Sequence, residues 1–223
     1  MITFTEVTKR YAGGYEAVKQ VSFHLERGEM VFLTGHSGAG KSTLLRLIAL
    51  IERSTSGQII VNNQNLVRLP DSRIPFLRRK IGMTFQEHRL LFDHTVFDNV
   101  ALPLVIAGFR HQEIKRRVRA ALDKVGLLSK EKNYPITLSS GQQQRVGIAR
   151  AVVHKPLILL ADEPTGNLDP ALAREIMGLF SAFNQVGVTV LIASHALSLI
   201  RSMGCRALIL QQGSLVGDSL LRH

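Results

Sequence analysis

Eight consecutive residues of this sequence have the types and spacing of a phosphate-binding loop. The stretch from Gly35 to Ser42 reads GHSGAGKS, which matches the pattern G-x-x-x-x-G-K-[ST]. Glycines let backbone N–H groups converge on phosphate oxygens, and the N-terminus of a following helix adds a favourable dipole. Lys41 can reach the β- and γ-phosphates, while the hydroxyl of Ser42 can ligate Mg²⁺. The segment therefore predicts a site for a purine nucleoside triphosphate, with these contacts: Gly35, His36, Ser37, Gly38, Ala39, Gly40, Lys41, Ser42 and Thr43.

Two adjacent acids, Asp162 and Glu163, directly follow the apolar run 157–161. Ligands of open parallel sheets bind at the C-terminal ends of strands. Asp162 can hold Mg²⁺ there, and Glu163 can orient an attacking water or accept its proton. On their own, two such acids are more often a solvated strand end or a helix cap. The phosphate loop earlier in the chain makes the catalytic interpretation the better one.

The elements that must position these groups indicate an α/β fold. A short apolar run over 29–34 precedes the loop, and helical apolar spacing over 41–51 follows it. The runs 156–161 and 188–193 are typical of buried parallel strands, and a helix is predicted between them over 171–186.

Both ends of the chain predict antiparallel strands, and the middle predicts helices. Alternating residues over 2–7 and 18–25 flank a Gly-Gly turn, and a hairpin is expected over 206–210 and 214–216. Residues 87–155 are rich in helical patterns and basic side chains. The predicted fold class is α/β: one domain of residues 1–223 with a mostly parallel core sheet, an antiparallel β edge and a helical subdomain inserted at about 87–155.

Composition bounds the function less tightly. The 223 residues carry a formal net charge of +11, which suits a partner that is anionic, either nucleic acid or a membrane surface. No apolar run approaches the roughly 18 residues of a membrane-spanning helix, and no signal peptide is expected. The single Cys205 excludes an internal disulfide and suits a reducing compartment.

Further stretches, in order along the chain, resemble the ATP-binding-cassette (ABC) ATPases. Residues 138–142, LSSGQ, resemble the LSGGQ signature of that family. Tyr11 is similar to its adenine-stacking aromatic residue, Gln86 to its Q-loop glutamine, and His195 to its switch histidine. Residues 167–169 are similar to its D-loop. The resemblance covers essentially the whole chain and implies a P-loop NTPase fold of the ABC type, with ATP and Mg²⁺ as ligands.

The resemblance also implies roles for individual residues and a head-to-tail homodimer that forms with ATP. It implies hydrolysis assisted by Glu163, His195 and Gln86, and Mg²⁺ held by Ser42, Gln86 and Asp162. In that dimer, the residues that reach the partner subunit's nucleotide are Ser139, Gly141, Gln142 and Asp169. By themselves Ser139 and its neighbours would be a serine helix cap, and Tyr11 a packed aromatic side chain.

Two positions depart from the family pattern. Ser140 stands where the signature usually has glycine, and Ala196 follows the histidine where an acid is common. A positive φ at Ser140 would carry strain of roughly 1–2 kcal/mol.

Segment 162–169 resembles a branch of the family that includes lipoprotein-release, macrolide-export and cell-division ATPases. The stretches 36–41, 76–82 and 95–104 favour the cell-division ATPases. This implies a peripheral subunit on the cytoplasmic side of the bacterial inner membrane. Its polytopic membrane partner would dock near residues 87–103.

Three alternatives compete with this interpretation. The basic clusters 78–80 and 115–119 suit an ABC ATPase that acts on nucleic acid, but Trp is absent and aromatic residues make up 6%, which leaves few stacking platforms for single strands. A solvated helix face is the plainer interpretation of 115–119. The others are a transporter subunit for lipoprotein, lipid or solute, and a nucleotide-binding module without hydrolysis, against which Glu163 and His195 argue.

Overall fold

The structure, a computed structural model, describes residues 1–166 and 168–220, in which two β-sheets are combined with seven α-helices. The strands are β1 Ile2–Arg10, β2 Glu16–Leu25, β3 Met30–Thr34, β4 Ser56–Val61, β5 Gln64–Asn65, β6 Ile81–Thr84, β7 Ile158–Asp162, β8 Thr189–Ala193, β9 Arg206–Gln211 and β10 Ser214–Leu220. The helices are α1 Lys41–Ile48, α2 Ile74–Arg78, α3 Val96–Ile106, α4 His111–Lys124, α5 Ser140–Val152, α6 Pro170–Gln185 and α7 Leu197–Met203.

The larger sheet has the order β10-β9-β3-β8-β7-β6 and is parallel except for β10. Both of its faces are covered. On β3, Met30 and Phe32 face one hydrophobic core, whereas Val31 and Leu33 face the other. This burial on both sides explains the uninterrupted apolar runs in the sequence, and it brings the C-terminal ends of five parallel strands to one edge.

The smaller sheet, of order β2-β1-β4-β5, is antiparallel throughout. It encloses α1 against the larger sheet, and the stacked rings of Phe4 and Phe23 lie in the core between them. The sequence predicted an antiparallel edge. The structure confirms antiparallel strands, which form a sheet of their own in addition to the β9–β10 hairpin.

The helices α3, α4 and α5 follow β6 and precede β7 along the chain, and they pack against one another. Two of them begin with a reciprocal capping box. Thr95 and Asp98 exchange these hydrogen bonds at the start of α3, and Ser139 and Gln142 do so at the start of α5. In the described part of the chain, no helix is both long enough and apolar enough to cross a bilayer.

One helix end and one strand differ from the sequence-based expectation. The helix predicted over 41–51 ends at Ile48, and Leu50 already has a positive φ of 50°. Strand β6 was not predicted, because it is short and contains Gly82, which weakens a strand pattern. Gly82 is nevertheless required there, since a Cβ atom would overlap the carbonyl oxygen of Ala151.

Candidate nucleotide-binding site

The loop between β3 and α1 depends on glycine for its shape. Gly35, Gly38 and Gly40 have φ values of 148°, 78° and 104°. A Cβ atom on Gly35 would overlap the carbonyl oxygen of Leu210, and one on Gly40 would overlap that of Ala17. Only glycine therefore satisfies both the backbone conformation and the close packing against neighbouring strands.

Lys41 and Ser42 point from the start of α1 toward the end of β7. The Lys41 ammonium donates to the carbonyl oxygens of Gly35 (2.8 Å) and His36 (3.2 Å). The Ser42 hydroxyl donates to Asp162 Oδ1 at 2.9 Å. Burial raises the pKa of Asp162, and the hydrogen bond from Ser42 opposes that shift.

Glu163 contacts both the lysine of the phosphate loop and His195. Its Oε1 lies 3.6 Å from Lys41 Nζ, and its Oε2 lies 2.9 Å from His195 Nδ1. Its backbone has a φ of 46°, and its N–H donates to the carbonyl oxygen of Ala193 at 2.9 Å. The parallel pairing of β7 with β8, in which Asp162 lies opposite Ala193, brings Glu163 and His195 together across 32 residues of sequence.

A cavity of about 630 Å³ lies over these groups, a size typical of small-molecule sites. It is lined by residues 36–43 and by Gln86, Glu163 and His195, whereas Gly35 at the start of the loop is not among the lining residues. Asp162 stands behind Ser42 and is not among the lining residues.

Tyr11 also lines the cavity, with its hydroxyl 3.3 Å from that of Thr43. The Lys9 ammonium lies 5.0 Å from the centre of the Tyr11 ring, and burial raises the pKa of the Tyr11 hydroxyl. Three lining residues were missed by the sequence reasoning, Tyr15, Ala17 and Arg46. Tyr15, whose hydroxyl donates to the Gly38 carbonyl at 3.2 Å, could have been suspected from its closeness to Tyr11.

The four residues expected to act on a partner's nucleotide lie outside this cavity. Ser139 is the N-cap of α5 and forms the capping box with Gln142. Asp169 is the N-cap of α6 and accepts from the N–H groups of its first turn. Gly141 contacts Leu172 so closely that a Cβ would overlap the leucine side chain, so the two helix N-termini are adjacent.

The two departures from the family pattern cause no backbone strain. Ser140 is the first residue of α5 and does not have a positive φ. Ala196 is the N-cap of α7, where it makes no side-chain hydrogen bond. Asn167, the first residue of the D-loop segment, lies outside the described residues.

Known proteins with similar sequences are ATP-binding proteins. The sequence profile described as "ABC transporter" matches residues 18–166. The chain is 60% identical over 217 residues to "Cell division ATP-binding protein FtsE" of Escherichia coli strain K12, covering 97% of this chain and 98% of that protein. It is 43% identical to the protein of the same name from Bacillus subtilis strain 168, covering 98% of this chain and 96% of that one.

Solved structures agree with the sequence relatives. The ATP-binding cassette MJ0796, in a dimeric post-hydrolysis state bound to ADP and phosphate, superposes with a TM-score of 0.92 at 35% identity over 100% of both chains. This match, the family profile and the bacterial relatives agree on one assignment. The chain belongs to the ABC transporter family, as a subunit that binds and hydrolyses ATP.

Proposed function

We propose that this chain is the ATPase subunit of a bacterial cell-division complex, in which ATP binding and hydrolysis drive a membrane partner similar to FtsX. The assignment to cell division rests on its 60% identity, over 97% of the chain, to the cell-division ATP-binding protein FtsE of E. coli. The observation that carries the chemistry is Glu163, which contacts both Lys41 and His195 beside the phosphate loop.

The residues present fit a magnesium ion. Ser42 Oγ and Asp162 Oδ1 are 2.9 Å apart, and Gln86 lines the nucleotide cavity together with Ser42. Mg²⁺ prefers hard oxygen ligands and is usually held by one or two protein groups together with phosphates and water. When bound, the ion would neutralise charge on the β- and γ-phosphates.

Hydrolysis requires a water to attack the γ-phosphorus while the bond to the β–γ bridging oxygen breaks. We assign Glu163 to orient that water and accept its proton, and His195 to hold the Glu163 carboxylate through Nδ1. The Lys41 ammonium, now bound to two carbonyl oxygens, would instead bind the phosphates. Tyr11 would stack on adenine.

The second half of each site comes, in this proposal, from a second copy of the chain arranged head to tail. The exposed N-terminus of α5 offers the N–H groups that Ser139 does not cap, together with a favourable dipole, to an anion. The N-terminus of α6, capped by Asp169, lies beside it. Solved cassettes at 35% and 36% identity are dimers. The residues assigned to contact the partner's nucleotide are Ser139, Gly141, Gln142 and Asp169.

Segment 87–103 is the proposed docking site for the membrane partner, at the start of the helical subdomain of about 87–155. Gln86 directly precedes this segment, so the residue proposed to sense the γ-phosphate lies next to the surface that would contact the membrane partner. Leu91 and Phe92 are 38% and 52% exposed, although the backbone around them is firmly held. The buried Asn99 side chain binds the backbone N–H and carbonyl of Leu91. Peripheral association with the cytoplasmic face of the inner membrane follows from such a partner.

Replacement of Glu163 by glutamine tests the chemistry. Glu163→Gln removes the base without changing the side-chain size, so ATP turnover is expected to fall about 10²–10⁴-fold while ATP binding persists. In the presence of ATP, the variant should then accumulate as a closed dimer, which is measured by light scattering coupled to gel filtration. Glu26→Gln, an exposed change far from the site, is the control. Turnover close to wild type in Glu163→Gln would refute the assigned base.

Copurification tests the cellular role separately. The chain is coexpressed with the polytopic membrane protein of the adjacent reading frame, extracted in detergent, and compared with its Phe92→Asp variant. Capture of a protein with a large extracytoplasmic domain, weakened by Phe92→Asp at unchanged ATPase activity, supports the proposal. Capture of a solute or lipid permease would identify a transporter subunit instead.

A further inference from the structure

A second groove, of about 740 Å³, lies between the helical region and the parallel sheet. Its walls come from three segments: 116–124 on α4, 152–157 from the end of α5 to β7, and 183–188 from the end of α6 to β8. We call it the α4–α6 groove. It opens at the N-terminal ends of β7 and β8, whereas the nucleotide cavity lies at their C-terminal ends. Strands of five residues separate the two sites by about 16 Å, so an occupant of the groove would not touch the nucleotide.

The floor of the groove is apolar and open to solvent. Val186 is 79% exposed and Leu157 is 38% exposed, and Phe183 and Val152 lie beside them. Nothing in the described part of the chain covers these side chains. An apolar floor of this kind favours binding of an apolar surface.

The rim of the groove is cationic. Arg116, Lys124 and Lys155 line it, and none of them has a carboxylate within 4 Å among the described residues. Arg117 differs, because Glu113 pairs with it at 2.7 Å. No acidic side chain of the described residues lines the groove. The occupant that complements this rim is therefore anionic.

The spacing of the rim on α4 fits another helix. Arg116, Ala120 and Lys124 form one row of the helix at four-residue intervals, about 12 Å long, with a small residue between two cations. Such rows pack into the grooves of a second helix, and a small central residue permits close approach. Gly187 gives similar room on the opposite wall. A lipid headgroup would favour cations gathered at one end, whereas these are spread along the groove.

We propose that the α4–α6 groove binds an acidic amphipathic helix of a protein partner. Apolar side chains of that helix would cover Leu157 and Val186, while acidic side chains about two turns apart would pair with Arg116 and Lys124. The site is independent of the nucleotide chemistry, so it does not depend on the role assigned above.

The probe is a fluorescein-labelled helical peptide of about 18 residues with leucines on one face and two glutamates eight residues apart beside them. Binding to the full chain is measured by fluorescence anisotropy at about 150 mM salt, where non-specific attraction is screened. The double change Arg116→Glu with Lys124→Glu is expected to weaken binding at least about tenfold. The matched control is Lys115→Glu with Lys132→Glu, which alters net charge equally outside the groove and should leave binding within about twofold. Neither pair touches the catalytic groups, so ATP turnover reports correct folding of each variant.

Val186→Asp supplies a second, apolar test at an exposed position, and it should weaken binding by a similar factor. Absence of peptide binding to the wild-type chain overturns the proposal, as does equal weakening by both charge-reversal pairs. Vesicles of phosphatidylglycerol are offered in parallel. Binding of these vesicles that depends on Arg116 and Lys124, without peptide binding, would assign the groove to anionic lipid and overturn the proposal.

Discussion

Lys41 and Glu163 show how the site is held before nucleotide arrives. The ammonium is bound by two carbonyl oxygens at 2.8 and 3.2 Å and lies 3.6 Å from the carboxylate. These three oxygens keep the buried cation paired in the absence of nucleotide, and phosphate oxygens would take over that pairing when nucleotide binds. The Lys41–Glu163 contact keeps both charged groups beside the cavity.

In the absence of Mg²⁺, the charged carboxylate of Asp162 lowers the stability of the folded protein, because burial disfavours the charged form and raises the pKa. Asp162→Asn should remove that destabilisation while keeping an oxygen for Ser42, so the nucleotide-free protein is expected to unfold at a higher temperature. Each kcal/mol gained corresponds to about 2–4 °C for a chain of this size. The additional stabilisation by Mg²⁺ with ATP should be lost.

Thermal unfolding in EDTA and in Mg²⁺ with ATP measures both effects. Asp123→Asn, at an exposed position of α4, is the control and should change neither value. A lower unfolding temperature of Asp162→Asn in EDTA would show that the carboxylate is favourably solvated, contrary to this expectation.

Among the elements, α5 connects two parts of the site. Its N-terminus carries Ser139 and touches α6 through Gly141 and Leu172. Near its C-terminus, the Arg150 guanidinium donates to the carbonyl oxygens of His88 (2.6 Å) and Arg89 (2.7 Å), directly after Gln86. A rigid helix thus spans from the signature residues to the segment that follows the Q-loop glutamine.

Arg150→Met should release that segment while retaining much of the side-chain volume. Loss of two charge-assisted hydrogen bonds is expected to cost about 2–4 kcal/mol of local stability. Hydrogen exchange of the amides at 87–95 should rise, and ATP turnover should fall. Arg145→Met on the same helix is the matched control, because Arg145 contacts Val125 and Glu175 instead. Unchanged exchange at 87–95 in Arg150→Met would refute the connection.

Arg206 links the β9–β10 hairpin to Glu29, the residue before β3. Arg206 binds both oxygens of Asp218 at 2.6 and 2.7 Å and Glu29 at 2.9 Å. The hydrogen bond from Arg206 lowers the pKa of Asp218 from 3.8. Because the folded-state pKa is lower than the unfolded one, the stabilisation is fully present above pH 3.8 and is lost as pH falls through the folded value.

Asp218→Asn is accordingly expected to cost about 0.5–1 kcal/mol at pH 7, a small value because the carboxylate is largely exposed. The difference from wild type should shrink as pH falls below 3.8. Urea unfolding at pH 7 and near pH 3 measures it. A difference that stays constant across this range would assign the effect to packing rather than to charge.

At the scale of the molecule, the site that we propose is divided into two separate halves of one chain. The cavity gathers the phosphate loop, Glu163 and His195, whereas the capped N-termini of α5 and α6 lie outside it. In a head-to-tail dimer, each complete site would take one half from each subunit.

Mixing two inactive variants tests this arrangement. Lys41→Met removes the phosphate-loop lysine and Ser139→Arg blocks the signature end, so each homodimer should be inactive. A mixed dimer retains one intact site, formed by the unchanged loop of one subunit and the unchanged signature of the other. ATP turnover should reappear on mixing and reach a substantial fraction of the wild-type rate. Continued inactivity of well-folded mixtures would argue against shared sites.

Local chemistry is what the sequence by itself determined. The glycine loop, its lysine and serine, the acids after β7 and the serine cap of α5 are each encoded within a few residues, so their spacing predicts them. The nucleotide site followed from the spacing of the phosphate loop, and the family from the resemblance of further stretches, in order along the chain, to ABC ATPases. The parallel strands β3, β7 and β8 were evident for the same reason, because each is a short run of apolar residues buried on both sides.

Only the tertiary structure decided which distant residues meet. Glu163 and His195 are 32 positions apart and come within hydrogen-bond distance because β7 and β8 are parallel neighbours. Strand β6, with its Gly82, has too weak a local pattern to be predicted, yet it leads directly to Gln86. On α4, Lys115, Arg116 and Arg119 are exposed, as expected of a solvated face. The tertiary structure adds that Arg116 also borders an apolar groove formed by segments far along the chain. Periodicity reports which face of an element is buried, whereas the identity of the neighbour depends on how the sheet orders its strands.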